Sequence, residues 1–199
     1  MTSADRRKVY RKVAELHADS IDQGFLSTLG LGFLALMYEA VDEAKGSVLL
    51  VEHRNGRIVG FVSGACGMRS IYLRMLRSPI RLGFSLLPSL VRLGRLKRIF
   101  DILRYEGGGD DGVDYPEAEL LSIAVDPDAR GQGVADSLFG RLSDHFRNQG
   151  FTAFKIVVGD ELAPAQRFYS KMGARPAGRV EVHAGEGSTV YIHHIPAPD

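Results

Sequence analysis

Apolar residues in the first third of the chain recur first at helical spacing and then at strand spacing. Apolar positions three to four residues apart predict helices over residues 5–18 and from Phe33 to Lys45. Two short runs rich in β-branched residues follow, Val48–Glu52 and Ile58–Val62. Because Asn55-Gly56 lies between them, these runs are predicted to form an antiparallel hairpin.

The second half of the chain alternates predicted strands with predicted helices. Its clearest helical signal is a single apolar face with a four-residue repeat, formed by Val134, Leu138, Leu142 and Phe146. The other predicted elements are a preceding strand at Glu119–Val125, a strand at Phe154–Val158, a helix at Glu161–Met172 and a last pair of strands at Arg179–His183 and Thr189–Ile195.

The last predicted helix carries its own start and stop signals. Asp160 is expected to cap it, Pro164 falls in the first turn, where its missing N–H is tolerated, and Gly173 follows the end. Its inward face is predicted to comprise Ala165, Phe168 and Met172, with Tyr169 beside that face.

Residues 68–106 are both apolar and basic, and are predicted to be a helical insertion. Nine basic residues stand against two acidic ones, which gives a local charge of +7. Pro79 and Pro88 divide the segment into short helices. A basic amphipathic segment can lie on an anionic membrane or hold an acidic ligand; alternatively, it packs on the domain with its arginines solvated. Residues 107–118 are predicted to form a flexible acidic loop.

Composition limits the protein to an ordinary globular class. The 199 residues fit a single domain, with 45% apolar and 25% charged residues. A net charge of +1 gives no reason to expect nucleic-acid binding. One cysteine, Cys66, excludes an internal disulfide, and neither a signal peptide nor a membrane span is evident, so we expect a cytoplasmic protein.

The junction between the Glu119–Val125 strand and the next helix is a candidate anion site. The first N–H groups of a helix lack internal partners and lie at the positive end of its dipole. Gly131 and Gly133 let a ligand approach these groups closely, and Arg130 adds a planar cation suited to phosphate. The alternative is an ordinary glycine turn that caps a surface helix. No Lys-Ser/Thr pair follows, so the loop is not of the P-loop type.

Two motifs carry a resemblance to a known family. Residues 130–135 read R-x-x-G-x-A, and residues 165–173 read A-x-x-F-Y-x-K-x-G, with a predicted strand between them. In this order they resemble the two signatures of the GNAT family, the GCN5-related N-acetyltransferases. The resemblance is close over residues 119–175, and the helix–helix–hairpin start agrees in order. Leu162 and Asp136 depart from the pattern, Leu162 standing where many members carry asparagine.

The resemblance implies a single GNAT-type α/β domain with a mixed, mostly antiparallel sheet flanked by helices, and acetyl-CoA as co-substrate. An amine acceptor attacks the thioester directly, Tyr169 protonates the leaving thiolate, and Glu119 is the candidate base. A surface role for Glu119, or a structural role for Tyr169, is the alternative. Cofactor contacts are expected from Ile123, Val125, Arg130, Gly131, Gln132, Gly133, Val134 and Ala135.

Three classes of acceptor are compatible with the sequence: a small amine, an amino sugar or a protein N-terminus. Residues 25–30 are either core packing or one wall of the acceptor pocket. A different class of function is a CoA-binding or sensor domain with little or no transferase activity.

We expect no metal site, because the adjacent His193 and His194 would face opposite sides of a strand and no zinc-type spacing occurs.

Overall fold

A computed structural model describes residues 3–21, 29–79, 81–83, 85, 114–183 and 186–197. The predicted segments at 25–28 and 86–113, which include most of the basic insertion and of the acidic loop, lie outside these residues. Ala118 already belongs to a strand, so the predicted loop boundary at 118 is one residue too late.

The described residues form helices packed on a six-stranded sheet. The helices are α1 (Ser3–Ser20), α2 (Leu31–Glu43), α3 (Arg69–Leu76), α4 (Val134–Asn148) and α5 (Ala163–Lys171), with a short 3-10 turn at Pro127–Ala129. The strands are β1 (Ser47–Arg54), β2 (Arg57–Cys66), β3 (Ala118–Val125), β4 (Ala153–Gly159), β5 (Arg175–His183) and β6 (Glu186–His194). None of the described helices is both long and apolar enough to cross a membrane.

The sheet is mixed and mostly antiparallel, which confirms the predicted fold class. Its strand order is β1-β2-β3-β4-β6-β5. Only β3 and β4 are parallel neighbours; the other four adjacent pairs are antiparallel. A parallel pair needs a crossover, and α4 provides it, which places the start of α4 at the carboxyl end of β3.

The predicted hairpin is confirmed, and its turn explains why. Asn55 and Gly56 have φ values of 51° and 74°, so both lie in the left-handed region. Two consecutive left-handed residues match the right-handed twist of the flanking strands. The turn joins β1 and β2 in register, with Arg54 paired with Arg57.

Each face of the sheet has its own apolar core. Phe61, Ala65 and Ala124 pack with α1, α2 and α3 on one face. The four residues of the predicted apolar stripe on α4 are all buried against the other face. Gly60 and Gly64 of β2 allow this approach, because a Cβ at either position would lie within 2.9 Å of an α4 side chain.

The prediction that Asp160 caps α5 is wrong. The helix begins at Ala163, and Leu162 occupies the N-cap position without a side-chain hydrogen bond. Asp160 instead accepts a hydrogen bond from the Thr189 hydroxyl at 2.8 Å and pairs with Arg179. These partners come from β5 and β6, so local spacing cannot reveal them. Gly173 follows the helix with a left-handed φ of 84°, as predicted.

The predicted inward face of α5 is correct for its three residues, which all contact the core, and wrong in placing Tyr169 beside that face. Tyr169 is the buried residue of this helix, whereas Ala165, Phe168 and Met172 are only partly buried against the same core. The ring of Phe139 on α4 packs against both Phe168 and Tyr169, at centroid distances of 6.0 and 6.3 Å.

The insertion begins with a helix docked on α2. Ile71 and Met75 of α3 are buried, and Arg74 forms an ion pair with Glu43. Farther along, Arg81 pairs with Glu39, with 2.6 Å between Nη2 and Oε2. Two of the insertion's arginines are therefore balanced by α2 carboxylates. Three further arginines of the insertion, Arg92, Arg95 and Arg98, lie outside the described residues.

A buried polar pair lies between α1 and α2. His17 Nδ1 is 2.6 Å from the Tyr38 hydroxyl, and His17 is 2% exposed. No hydrogen-bond partner reaches the other ring nitrogen, Nε2, within the described structure. Burial lowers the pKa of His17 from 6.5 to about 4, because the imidazolium would lose its hydration.

We expect the free energy of unfolding to decrease as the pH falls from about 6.5 to about 4. In this window the unfolded chain protonates His17 and the folded chain does not, so stability is present above the window and lost through it. The pKa difference corresponds to about 3 kcal/mol. Urea titrations across this range should show a flatter pH dependence for His17→Gln than for the exposed control His194→Gln. Equal slopes in the two variants would contradict the role of His17.

Candidate active site

The central strands β3 and β4 separate soon after they begin to pair. Only two residue pairs join them, Glu119 with Lys155 and Leu120 with Ile156. Both strands continue beyond this point, to Val125 and Gly159. The separation leaves a cleft, which we call the wedge, between residues 121–125 and 157–159. A β-bulge at Leu121, between the partners of Ser63 and Gly64, bends β3 at the same point.

Backbone groups of β3 face the wedge at alternate residues. The Asp126 N–H donates to Val59 O on the β2 side at 2.9 Å. Since successive residues of a strand direct their N–H and C=O groups to opposite sides, Ile123 and Val125 direct theirs towards the wedge. The Val125 carbonyl accepts a hydrogen bond from Arg130 Nε at 3.2 Å. An extended ligand could therefore pair with β3 as an added strand would.

The glycine loop after β3 leads directly into the N-terminus of α4. Gly131 and Gly133 have φ values of 72° and 75°, a conformation that glycine adopts with least strain. Gly133 is the N-cap and provides no side-chain hydrogen bond. The first helical hydrogen bond runs from the Ser137 N–H to Gly133 O at 3.0 Å, so the N–H groups of Val134 and Ala135 have no intrahelical acceptor. Such a helix end favours an anion.

Gln132 uses its side chain to hold the loop rather than to face a ligand. Its Oε1 accepts from Arg54 Nη1 at 2.5 Å, and its Nε2 donates to Asp128 O at 2.8 Å. Only the backbone N–H of Gln132 therefore remains for a ligand. The contact of Arg54 cannot be predicted from the sequence, because nothing in the local pattern shows that the end of the hairpin reaches a loop 78 residues away.

Asp136 does not stand as an isolated negative charge in the first turn of α4. Its Oδ2 lies 2.8 Å from Lys171 Nζ at the end of α5. Lys171 is the lysine of the second motif, so the two motifs meet in space. The ion pair balances the carboxylate and lowers its repulsion of an anion at the helix start.

The phenol ring of Tyr169 lies in the apolar core between the sheet and α4. The residue is 6% exposed, and its ring packs against Phe139 and Phe168. Burial raises the pKa of Tyr169, so the hydroxyl keeps its proton at neutral pH. Among the described residues, no hydrogen bond to the Tyr169 hydroxyl is seen.

Glu119 lies at the closed end of the wedge, on the opposite face of the sheet from Leu120. It is partly buried, and its Oε2 lies 3.8 Å from Lys155 Nζ. Burial raises the pKa of Glu119, while the charge of Lys155 opposes that rise. Tyr72 of α3 is close enough for the Glu119 charge to contribute to its raised pKa, after burial. The first helix of the insertion, α3, therefore lies on the Glu119 side of the sheet.

Histidines in the described part of the chain do not converge on a metal site. Among these residues, no group of three or more His, Cys, Asp or Glu side chains could hold a metal ion. His193 is buried and His194 is exposed, as their adjacent strand positions predict.

Comparison with known proteins gives one family for most of the chain. The profile described as the Acetyltransferase (GNAT) family matches residues 18–174. No curated protein matches the sequence.

Solved structures with the same fold confirm the predicted architecture. An N-acetyltransferase from Staphylococcus aureus Mu50 has a TM-score of 0.61 at 13% identity, covering 96% of this chain and 94% of that one. A structure assigned to the GNAT family, from Desulfovibrio desulfuricans, has a TM-score of 0.58 at 14% identity, covering 98% and 95%. An acetyltransferase structure from Bacillus anthracis, solved with acetyl coenzyme A, has a TM-score of 0.52 at 13% identity, covering 79% and 67%.

Proposed function

The chain belongs to the GNAT acetyltransferase family, and we propose that it transfers the acetyl group of acetyl-CoA to an amine acceptor by direct attack on the thioester. One observation carries the proposal: β3 and β4 part after two residue pairs, immediately upstream of a helix start with open N–H groups. A long ligand with an anionic end and an extended polar arm fits both features.

In this proposal, the pyrophosphate of acetyl-CoA lies on the glycine loop. The backbone N–H groups of residues 131–135 would surround it, and the terminal nitrogens of Arg130 would add charge. The pantetheine arm would enter the wedge and pair with the backbone groups of Ile123 and Val125. The thioester would then lie near the closed end of the wedge, between Tyr169 on one face of the sheet and Glu119 on the other.

The reaction follows from that placement. The neutral amine forms a bond to the thioester carbon, and the carbonyl oxygen becomes an oxyanion that a backbone N–H of β3 stabilises. Collapse breaks the C–S bond, and the Tyr169 hydroxyl gives its proton to the departing sulfur. Glu119 accepts the proton that the amine loses, directly or through a water. The products are an N-acetylated amine and free CoA.

The acceptor in our proposal is a small amine, an amino sugar or a protein N-terminus. The acceptor would approach from the Glu119 side of the wedge, beside α3, so this first helix of the insertion would border it. The same insertion would provide any peripheral contact with an anionic membrane. We place the reaction in the cytoplasm, since the only cysteine, Cys66, fits a reducing compartment.

Saturating acetyl-CoA is expected to raise the melting temperature by about 5–10 °C. A ligand at 100 times its dissociation constant stabilises the native state by about 2.7 kcal/mol, and each kcal/mol shifts the melting point of a protein of this size by about 2–4 °C. Differential scanning fluorimetry measures the shift. Acetyl-pantetheine, which lacks the pyrophosphate, is the control and should give a much smaller shift at equal concentration. A melting point that acetyl-CoA does not move would remove the basis for the proposal.

A further inference from the structure

A charged pair that the reaction scheme leaves unexplained lies at the closed end of the wedge. Lys155 is the cross-strand partner of Glu119 in the short paired stretch of β3 and β4. The two strands separate one residue pair later. A substitution of either residue would therefore lie next to the proposed position of the thioester.

Lys155 is an unusually buried lysine. It is 9% exposed, and its Nζ lies 3.8 Å from Glu119 Oε2. An ammonium group that loses its hydration costs free energy unless a negative charge compensates it. Glu119 provides that charge, and Lys155 in turn provides the compensation for a partly buried carboxylate.

We propose that Lys155 is a positioning residue whose charge keeps Glu119 ionised at the closed end of the wedge, so that Glu119 can take the proton of the acceptor amine. This inference rests on the proposed function and adds a residue to it. Lys155 itself does not exchange a proton with the substrate.

The balance of effects on Glu119 explains why a cation is needed there. Burial favours the protonated, neutral carboxyl and raises the pKa of Glu119. The positive charge of Lys155, 3.8 Å away, acts in the opposite direction. Without it, burial would act alone, and a protonated Glu119 cannot accept another proton. The loss would be largest at low pH, where protonation is most favoured.

Two other titratable groups near this pair remain uncharged. Tyr72 faces it from α3, and burial together with the Glu119 charge raises the pKa of Tyr72. Cys66, at the end of β2, has its pKa raised by burial and by Glu117. Both side chains keep their protons at neutral pH. Among the described groups, Lys155 is therefore the cation that sets the charge of Glu119.

The test compares pH profiles of kcat/KM for wild type, Lys155→Met and Lys155→Arg. A neighbouring opposite charge lowers a carboxyl pKa by about one to three units, so the acid limb of Lys155→Met should move to higher pH by that amount. Activity at the alkaline plateau should stay within about threefold of wild type, since Glu119 ionises there. Lys155→Arg should restore the wild-type limb. A purely structural lysine would instead lower activity equally at every pH, and that result would overturn the proposal.

A second readout does not require turnover. Carbon-13 NMR of glutamate carboxyls, with the Glu119 signal assigned by its absence in Glu119→Gln, should show the Glu119 titration moving upward in Lys155→Met. If that variant does not fold, Lys155→Gln replaces it. If the Glu119 titration is unchanged in Lys155→Met, the proposal is overturned whatever the kinetics show. It is also overturned if the Glu119 titration shifts but the acid limb of the kcat/KM profile does not. If the wild type acetylates no amine, the proposed function fails, and the NMR titration still decides whether Lys155 sets the charge of Glu119.

Discussion

Replacing Gly133 with valine is expected to weaken acetyl-CoA binding by about 100-fold or more. Gly133 is the N-cap of α4 and has a φ of 75°, a conformation that β-branched residues rarely adopt. Relief of that strain would turn the first N–H groups of the helix away from the pyrophosphate. Hydrogen bonds to charged groups contribute about 1.5–3 kcal/mol each, so the loss of two of them accounts for the expected factor. Isothermal titration calorimetry with acetyl-CoA measures it.

Gly150→Val is the matched control for this effect. Gly150 follows the other end of α4 and has a φ of 89°. A Cβ added at Gly150 would meet no atom within 4 Å, and the same is true at Gly133. The two substitutions therefore impose a similar backbone strain on the same helix. We expect both variants to lose stability and only Gly133→Val to lose acetyl-CoA binding. If both bound acetyl-CoA equally well, the helix start would not be the phosphate site.

Replacing Tyr169 with phenylalanine is expected to lower kcat by about 100-fold, the scale of a single general acid. The ring would keep its contacts with Phe139 and Phe168, so the fold and the affinity for acetyl-CoA should change little. Only the proton for the departing sulfur would be missing. Pre-steady-state and steady-state measurements of CoA release, together with the acetyl-CoA dissociation constant, separate turnover from binding.

Tyr191→Phe controls for the removal of a buried phenol hydroxyl. Tyr191 lies on β6, is 6% exposed, as Tyr169 is, and belongs to the same apolar core. This control should retain near-normal turnover. If Tyr169→Phe turned over as fast as Tyr191→Phe, Tyr169 would have only a structural role in the core. Another group would then have to protonate the departing thiolate.

Much of the fold follows from local patterns in the sequence. The Asn55-Gly56 turn specifies its hairpin because both residues tolerate a left-handed backbone. The four apolar residues of α4, spaced by four, are all buried because one face of a regular helix meets the sheet. The glycine loop can be predicted from the sequence for a similar reason, because Gly131 and Gly133 mark backbone conformations that other residues avoid.

Contacts between distant segments could not be predicted in this way. Asp160 precedes a helix and carries a good capping group, yet Thr189 and Arg179 compete for it from the last two strands. Lys155 and Glu119 become neighbours only through the parallel pairing of β3 and β4. The strand order decides each of these contacts, and no residue spacing encodes it.

The most direct test of acetyl transfer is a mass balance of the reaction itself. The wild-type protein is incubated with acetyl-CoA and a panel of small amines, amino sugars and peptides with free N-termini. Free CoA is then measured by thiol titration, and the acceptors by mass spectrometry. We expect at least one acceptor class to yield CoA and N-acetylated product in equal amounts, at a rate that falls in Tyr169→Phe. Tight acetyl-CoA binding with no acetylated product from any class would contradict acetyl transfer and favour a CoA-binding sensor.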